Sequence, residues 1–198
     1  MARATDSQKH RRSARAKTPT SARLENAALY YLSRYAASEF SLRRVLENRV
    51  RRASLGDPLF ACDHEAQAEL RAVIENIVAR HRASGILDDA VYAGMKARGA
   101  RRQGRSARMI KMQLAQKGLA AEVVEQALRV AAEDMDAGQA ELAAARILAK
   151  RRKWGPFGPP AATDKKRKQF AAMARAGFSL AVVKRVLSGD VEEDEESF

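Results

Sequence analysis

Residues 85–128 read GILDDAVYAGMKARGARRQGRSARMIKMQLAQKGLAAEVVEQAL, in which three glycines are each followed by apolar residues at helical spacing. The apolar residues stand six and ten positions after Gly85, Gly104 and Gly118. They are Val91 and Met95, Ile110 and Leu114, and Val124 and Leu128. Positions four apart share one face of a helix. A glycine that follows a helix can close its last turn in the left-handed conformation. The stretch therefore predicts short helices joined by tight glycine joints.

The same spacing recurs on both sides of this stretch. Ala36 precedes Leu42 and Leu46, and Gly177 precedes Val183 and Leu187. The residue directly after the small one is apolar in four copies, namely Ala37, Ile86, Leu119 and Phe178. In the Gly104 copy that place is taken by Arg105. Because packing alone would not select arginine there, we predict one cationic joint in a helical repeat.

Helical periodicity predicts an all-α fold, since no convincing alternation of period two appears. We expect nine helices at about residues 24–35, 38–53, 64–83, 88–102, 106–117, 120–134, 138–153, 165–176 and 179–188. The breaks at 55–63 and 154–160 contain proline and glycine, so no helix should cross the second one. Ser38 and Ser179 stand where N-caps are needed, and Asp88 stands one place later.

Charge is distributed unevenly along the 198 residues, whose net charge is +13. Residues 1–23 are basic and poor in large apolar side chains, which predicts a disordered arm. Residues 190–198, DVEEDEESF, form a predicted acidic disordered tail. The tails offset each other, so the positive excess belongs to the folded part. That excess favours an anionic partner, although GC-rich coding would also raise the arginine content.

Four basic clusters are the candidate contacts with nucleic acid or with a nucleoprotein filament. One contains Arg43 and Arg44, followed by Arg49, Arg51 and Arg52. The stretch 91–111 contributes Arg98, Arg101, Arg102, Arg105, Arg108 and Lys111, and no acid occurs from Ala90 to Ala121. The third is Lys150, Arg151, Arg152 and Lys153, and the fourth is Lys165, Lys166, Arg167 and Lys168. Trp154 could stack a base beside the third cluster, but a role in packing the proline loop is favoured.

Features that would indicate an enzyme or a bound cofactor are weak. No phosphate-binding glycine loop is present. Cys62, Asp63 and His64 lack a second pair of ligands for zinc, so Asp63 is read as an N-cap. Asp88 and Asp89 point about 100° apart on a helix and fit a cap and a dipole partner better than a catalytic pair. We expect no enzymatic activity, no metal and no cofactor. With no apolar stretch of membrane-spanning length, no secretory signal and a single cysteine, we also expect a cytoplasmic protein without a membrane partner.

Three segments in order resemble the RecX family, whose members modulate the RecA recombinase. The best match is residues 85–128, with Gly85–Asp89 as the start, Arg98–Arg105 as the basic link and Arg105–Leu119 as the helix that follows. Residues 28–50 resemble the first repeat of that family, and residues 169–187 resemble the C-terminal repeat. Ile86 stands where the family usually has an aromatic residue, and Gly94 interrupts the helix after the two aspartates.

The resemblance implies tandem three-helix repeats in an elongated, curved stack without a sheet. We place the repeats at 24–84, 85–134 and 135–189, between the arm 1–23 and the tail 190–198. It further implies binding to the RecA filament on single-stranded DNA and inhibition of recombinase and ATPase activity. We also expect a monomer, with duplex DNA as an additional candidate partner. The alternative is a basic helical module that binds DNA directly, such as a transcription regulator. On either reading, we expect replacement of Arg101 and Arg105 by alanine to leave stability nearly unchanged.

Overall fold

A computed structural model describes residues 19–133 and 135–189, and within these ranges every regular element is helical. The all-α prediction is therefore confirmed for the described residues. The ten α-helices are α1 Ser21–Leu32, α2 Glu39–Gly56, α3 Pro58–Cys62, α4 His64–Ala83, α5 Asp89–Arg102, α6 Ala107–Ala115, α7 Ala121–Ala131, α8 Ala137–Arg152, α9 Thr163–Arg175 and α10 Leu180–Ser188. None of these helices is long and apolar enough to cross a membrane.

Serine and aspartate side chains begin several helices as the sequence predicts. Ser38 Oγ accepts from the Ser41 N–H at 3.2 Å, and Ser179 Oγ accepts from the Val182 N–H at 3.3 Å. Asp63 Oδ1 accepts from the Ala66 N–H at 2.9 Å and caps α4. Each bond satisfies a backbone donor that has no partner inside its own helix.

The glycine joints after α6 and α9 adopt the predicted left-handed conformation. Gly118 has φ 74° and Gly177 has φ 92°. The N–H of the residue after each glycine bonds back across the joint, from Leu119 to the Leu114 carbonyl and from Phe178 to the Met173 carbonyl, both at 3.3 Å. Leu119 and Phe178 are buried, so each joint is closed by one apolar side chain that packs inward.

The joint at Gly85 differs from the predicted register by one residue. Gly85 is left-handed, with φ 72°, but the N–H that closes the joint belongs to Leu87, which bonds to the His81 carbonyl at 3.0 Å. Leu87 is buried, whereas Ile86 and Val91 are 58% and 66% exposed. The assignment of Ile86, Val91 and Met95 to the packed positions was therefore wrong. An extra residue in the joint turns the next helix, so that α5 buries Tyr92, Ala93 and Ala97 instead.

The chain forms two compact units, which divide between Asp88 and Asp89. The core of the first unit gathers α1, α2 and α4 around Leu24, Leu42, Leu46 and Ile74. The second unit contains two clusters, one on α5 to α7 around Ile110 and one on α8 to α10 around Met173. The division into three repeats at the boundaries given above stays a prediction.

Two segments predicted as irregular contain short helices. Asp57 Oδ1 accepts from the Leu59 N–H at 3.2 Å, and Pro58 occupies the first turn of α3, where its missing N–H is not needed. Gly155–Phe157 form one 3₁₀ turn inside the proline segment, and no α-helix crosses that segment. Helix α1 begins at Ser21, so the last residues of the predicted arm, 21–23, are helical. Residues 1–18 of the arm and the tail 190–198 lie outside the described residues.

Candidate nucleic-acid interface

The basic stretch 91–111 bends at Gly104, where α5 and α6 meet against α8. Gly104 has φ 76°, and a Cβ placed there would lie 2.7 Å from the Leu148 nitrogen and 2.9 Å from the Ala144 oxygen. No side chain fits such a gap. The joint that carries Arg105 therefore packs directly against the backbone of α8. This close contact fixes the backbone to which the surrounding cationic side chains are attached.

Arg101 is held inside the protein by an acid from α8. Its Nη1 donates to Glu141 Oε2 at 2.6 Å, and only 11% and 16% of the two side chains are exposed. The Glu141 carboxylate also accepts from the Ala107 N–H at 3.0 Å. One carboxylate therefore ties the end of α5 and the start of α6 to α8. The expectation that Arg101 can be replaced without loss of stability is therefore revised. Removing Arg101 would leave the largely buried Glu141 carboxylate without its charged partner.

Ser106 anchors the same joint to the joint between α9 and α10. Its Oγ accepts from the Met109 N–H at 3.2 Å, which caps α6, and donates to the Ala176 carbonyl at 2.6 Å. The residue is fully buried. A Cβ on Gly177 would lie 2.6 Å from Ser106 Oγ. Two joints about 70 residues apart in sequence thus form one rigid contact beneath the basic stretch.

The remaining cations of the stretch differ in their availability to a partner. Arg102, Arg105 and Arg108 are exposed, and Arg98 is half-buried. Lys111 Nζ lies 2.5 Å from Glu125 Oε1, in a pair that is about half exposed and therefore weak. Glu141 and Glu125, which pair with this stretch, both lie outside it in the sequence. The absence of acids within the stretch therefore suggested more unpaired cations than the folded protein has. The surface formed by Arg102, Arg105 and Arg108 is called here the joint surface.

The third basic cluster reaches this region through one residue. Arg151 Nη1 donates to the Gln103 carbonyl at 2.6 Å, which places the end of α8 beside the α5–α6 joint. Lys150, Arg152 and Lys153 are exposed, and Lys150 Nζ lies 5.5 Å from the centre of the Phe157 ring. Cations in the last turn of α8 also stabilise its negative end. Trp154 is partly buried and packs against the α8–α10 core, as the packing interpretation predicted.

The fourth cluster lies at the start of α9, and all of Lys165, Lys166, Arg167 and Lys168 are exposed. Lys166 and Arg167 line a cavity of about 790 Å³ beside the 3₁₀ turn. Arg167 also lies 3.4 Å from Asp164 in an exposed pair. This cluster belongs to the same unit as the joint surface.

The first cluster lies in the first unit, and its two leading arginines differ because only Arg43 forms an ion pair with an acid of α4. Arg43 donates to both Glu75 oxygens, at 2.6 and 2.9 Å. These hydrogen bonds raise the pKa of the Arg43 guanidinium and lower the pKa of the Glu75 carboxyl. Arg44 is exposed. Arg43 therefore connects α2 to α4, whereas Arg44 faces solvent.

Nothing in the described part of the chain groups three His, Cys, Asp or Glu side chains in a way that could hold a metal. The geometry instead offers several exposed guanidinium and ammonium groups around a backbone fixed by Gly104, Ser106 and Glu141. Such groups bind phosphate oxygens by charge-assisted hydrogen bonds and do not read base sequence. Sequence reasoning missed Glu141, since its partner lies 40 positions earlier. The serine of Ser106, placed like Ser38 and Ser179 before a helix, was an available signal for a cap.

Similar proteins and structures cover nearly the whole chain. A family model described as "RecX, second three-helix domain" matches residues 88–128. A protein of Myxococcus xanthus named regulatory protein RecX is 37% identical over 187 residues, which are 93% of this chain and 95% of that protein. An Agrobacterium fabrum protein of the same name is 32% identical over 92% of this chain and 93% of its own length. A crystal structure of regulatory protein RecX superposes with a TM-score of 0.56 at 20% identity, over 84% of this chain and 70% of that one, and shares its fold.

Proposed function

The chain belongs to the RecX family, and from this membership we propose that it regulates a RecA-type recombinase by binding the filament which that recombinase forms on single-stranded DNA. Binding inhibits strand exchange and the ATPase activity of the filament. The protein contributes contacts and no catalytic step of its own. The observation that carries the proposal is the match of almost the full chain to relatives named as regulatory proteins.

The joint surface supports an anionic partner. Arg102, Arg105 and Arg108 are exposed on a backbone that Gly104 and Ser106 hold in place. Because the backbone is already fixed, the conformational freedom lost on binding is that of the arginine side chains alone, which favours affinity. Guanidinium groups also suit both phosphates and protein carboxylates, and a nucleoprotein filament presents both.

The test is ATP hydrolysis by the recombinase on single-stranded DNA, measured while the protein is added well below one copy per recombinase subunit. We expect strong inhibition at these low ratios, because a regulator that acts on a filament affects many subunits at once. A protein that only competes for DNA needs enough copies to cover the strand. Inhibition that appears only at such coverage would support the alternative of a plain DNA-binding module and contradict the proposal.

The joint surface is tested with a matched pair of variants. Replacing Arg105 and Arg108 by alanine should weaken inhibition at least about tenfold, or roughly 1.4 kcal/mol. The control replaces Arg71 and Arg175, two exposed arginines with no ion pair among the described residues, and removes the same charge. An equal loss of inhibition in both variants would show that net charge, rather than the joint surface, determines binding. Full inhibition by the Arg105 and Arg108 variant would show that the joint surface does not bind the filament.

A further inference from the structure

The exposed aromatic side chains of the described residues are concentrated where α1 meets α2. Tyr30, Tyr35 and Phe40 are 56%, 57% and 39% exposed, in a protein whose aromatic content is only 6%. The Arg34 guanidinium carbon lies 4.5 Å from the centre of the Tyr30 ring. An aromatic ring left half exposed beside a cation contributes little to the core, so its position calls for another explanation.

A cationic cleft opens at the start of the same helix. The cleft has a volume of about 450 Å³ and lies between α1 and α2. Its polar lining consists of Arg23, Asn48, Arg49 and Arg52, with no carboxylate among the lining residues. Neither Arg49 nor Arg52 has an ion pair in the described part of the chain. A cleft lined by cations and without acids has the electrostatic character of a phosphate-binding site.

The cleft and the exposed ring lie along one side of α1. Arg23 and Tyr30 are seven residues apart, which places them on the same face of the helix, and Arg34 continues the line through its contact with Tyr30. Two acids near α1 in sequence are engaged elsewhere, and Glu47 on α2, although it directly precedes the cleft residue Asn48, is not part of the lining. Glu25 pairs with Arg80, and Glu39 lies 3.7 Å from Arg82, both on α4. The result is a track of cations that ends in an exposed aromatic ring.

We propose that this track is a single-stranded nucleic-acid site, in which the cleft arginines bind backbone phosphates and Tyr30 stacks on a base. The inference rests on the proposed function in one respect, since it assigns the single-stranded DNA of the filament to a place on the first unit. Proteins that grip single strands combine a cationic groove with aromatic rings on which bases stack. A protein surface is the competing occupant, because arginine and aromatic residues are also enriched at protein interfaces. Nucleic acid is favoured, because the cleft is lined by three arginines without a carboxylate and the half-exposed ring beside it matches the base-stacking arrangement of single-strand sites.

The experiment measures binding of a short labelled oligo-dT to the full chain without recombinase, at a salt concentration that screens long-range attraction. Tyr30→Ala should lower the affinity at least about fivefold, as expected for loss of one base–aromatic stack. Tyr30→Phe keeps the ring and should bind like the unmodified protein. Leu29→Ala is the matched control, because Leu29 is 54% exposed on the same helix but is not aromatic. Arg49→Ala with Arg52→Ala should reduce both the affinity and its salt dependence.

Equal affinities of Tyr30→Ala and Leu29→Ala would overturn the proposal, as would a Tyr30→Phe variant as weak as Tyr30→Ala. Normal oligo-dT binding by Tyr30→Ala, with loss of binding to the recombinase in the absence of DNA, would also overturn it and identify a protein contact. The outcome is separable from the proposed function. A protein that fails to inhibit the recombinase, yet shows the Tyr30 and arginine effects on oligo-dT, retains this site and loses only the proposed function.

Discussion

Replacement of Arg101 by alanine should destabilise the second unit, because it strands a largely buried carboxylate. Arg101 and Glu141 are 11% and 16% exposed, and their closest approach is 2.6 Å. Without Arg101, the Ala107 N–H is the one hydrogen-bond donor to Glu141 that remains among the described residues. Removing one partner of a buried ion pair costs about 3–5 kcal/mol. Since both side chains keep some contact with water, the lower end, about 3 kcal/mol, is expected.

A loss of this size is easily measured by thermal unfolding. For a unit of about 110 residues, ~1 kcal/mol corresponds to a shift in Tm of roughly 4 °C, so Arg101→Ala should lower the Tm of the second unit by roughly 12 °C. Arg105→Ala is the matched control, because it removes an exposed arginine from the same joint. Its effect should remain within about 0.5 kcal/mol. Circular dichroism and calorimetry on both variants provide the comparison.

Restoring the balance of charge should recover much of the loss. In the double variant Arg101→Met with Glu141→Gln, no charge is buried, and the Gln carbonyl can still accept from the Ala107 N–H. Buried ion pairs replaced by neutral groups of similar volume are often close to neutral in stability. Equal Tm values for Arg101→Ala and Arg105→Ala would refute the assignment of Arg101 to the structural framework. A double variant no more stable than Arg101→Ala would show that the stranded carboxylate is not the cause.

Three further perturbations test other parts of the molecule. Gly104→Ala should cost at least about 1–3 kcal/mol from its positive φ, with a further loss from the clash with α8, whereas Gly99→Ala should not destabilise, because nothing lies within 4 Å of its added Cβ; urea unfolding compares the two. The hydrogen bonds from Arg43 lower the pKa of Glu75 in the folded state. The small contribution of this pair to the free energy of unfolding is therefore present above the unfolded pKa of about 4.3 and is lost as the pH falls through the folded pKa. Glu75→Gln should remove that part of the pH dependence of stability, which acid unfolding measures. Deletion of residues 190–198 should tighten non-specific DNA binding at low salt and matter less at high salt, because six carboxylates compete with phosphate for the same cations; equal affinities at low salt would leave the tail a role in solubility alone.

The local features of the fold could be predicted from the sequence, because they depend on neighbouring residues. Gly118 and Gly177 close helices in the left-handed conformation, and Ser38 and Ser179 cap the helices that follow. The joint at Gly85 could not be placed correctly. Ile86 and Leu87 are both large and apolar, so the local sequence does not show which of them closes the joint. Tertiary packing decides this, since Leu87 is buried and Ile86 is exposed.

The candidate site was less predictable, because its chemistry depends on residues far apart in the chain. The absence of acids around Arg101 suggested a fully exposed charge, but Glu141 approaches from α8 in the folded protein. The same holds for Lys111 with Glu125 and for Arg43 with Glu75. Sequence thus locates the cations, whereas tertiary packing decides which of them a partner can reach.

The contact between Ser106 and Gly177 links the permitted variation at two distant positions. A side chain at position 177 would need the space that the Ser106 hydroxyl occupies, and a larger side chain at position 106 would meet the backbone of residues 176 and 177. Relatives that change one position should therefore change the other, or keep both small. An aligned set of family members would show the two positions as a covarying pair, although about 70 residues separate them in the chain.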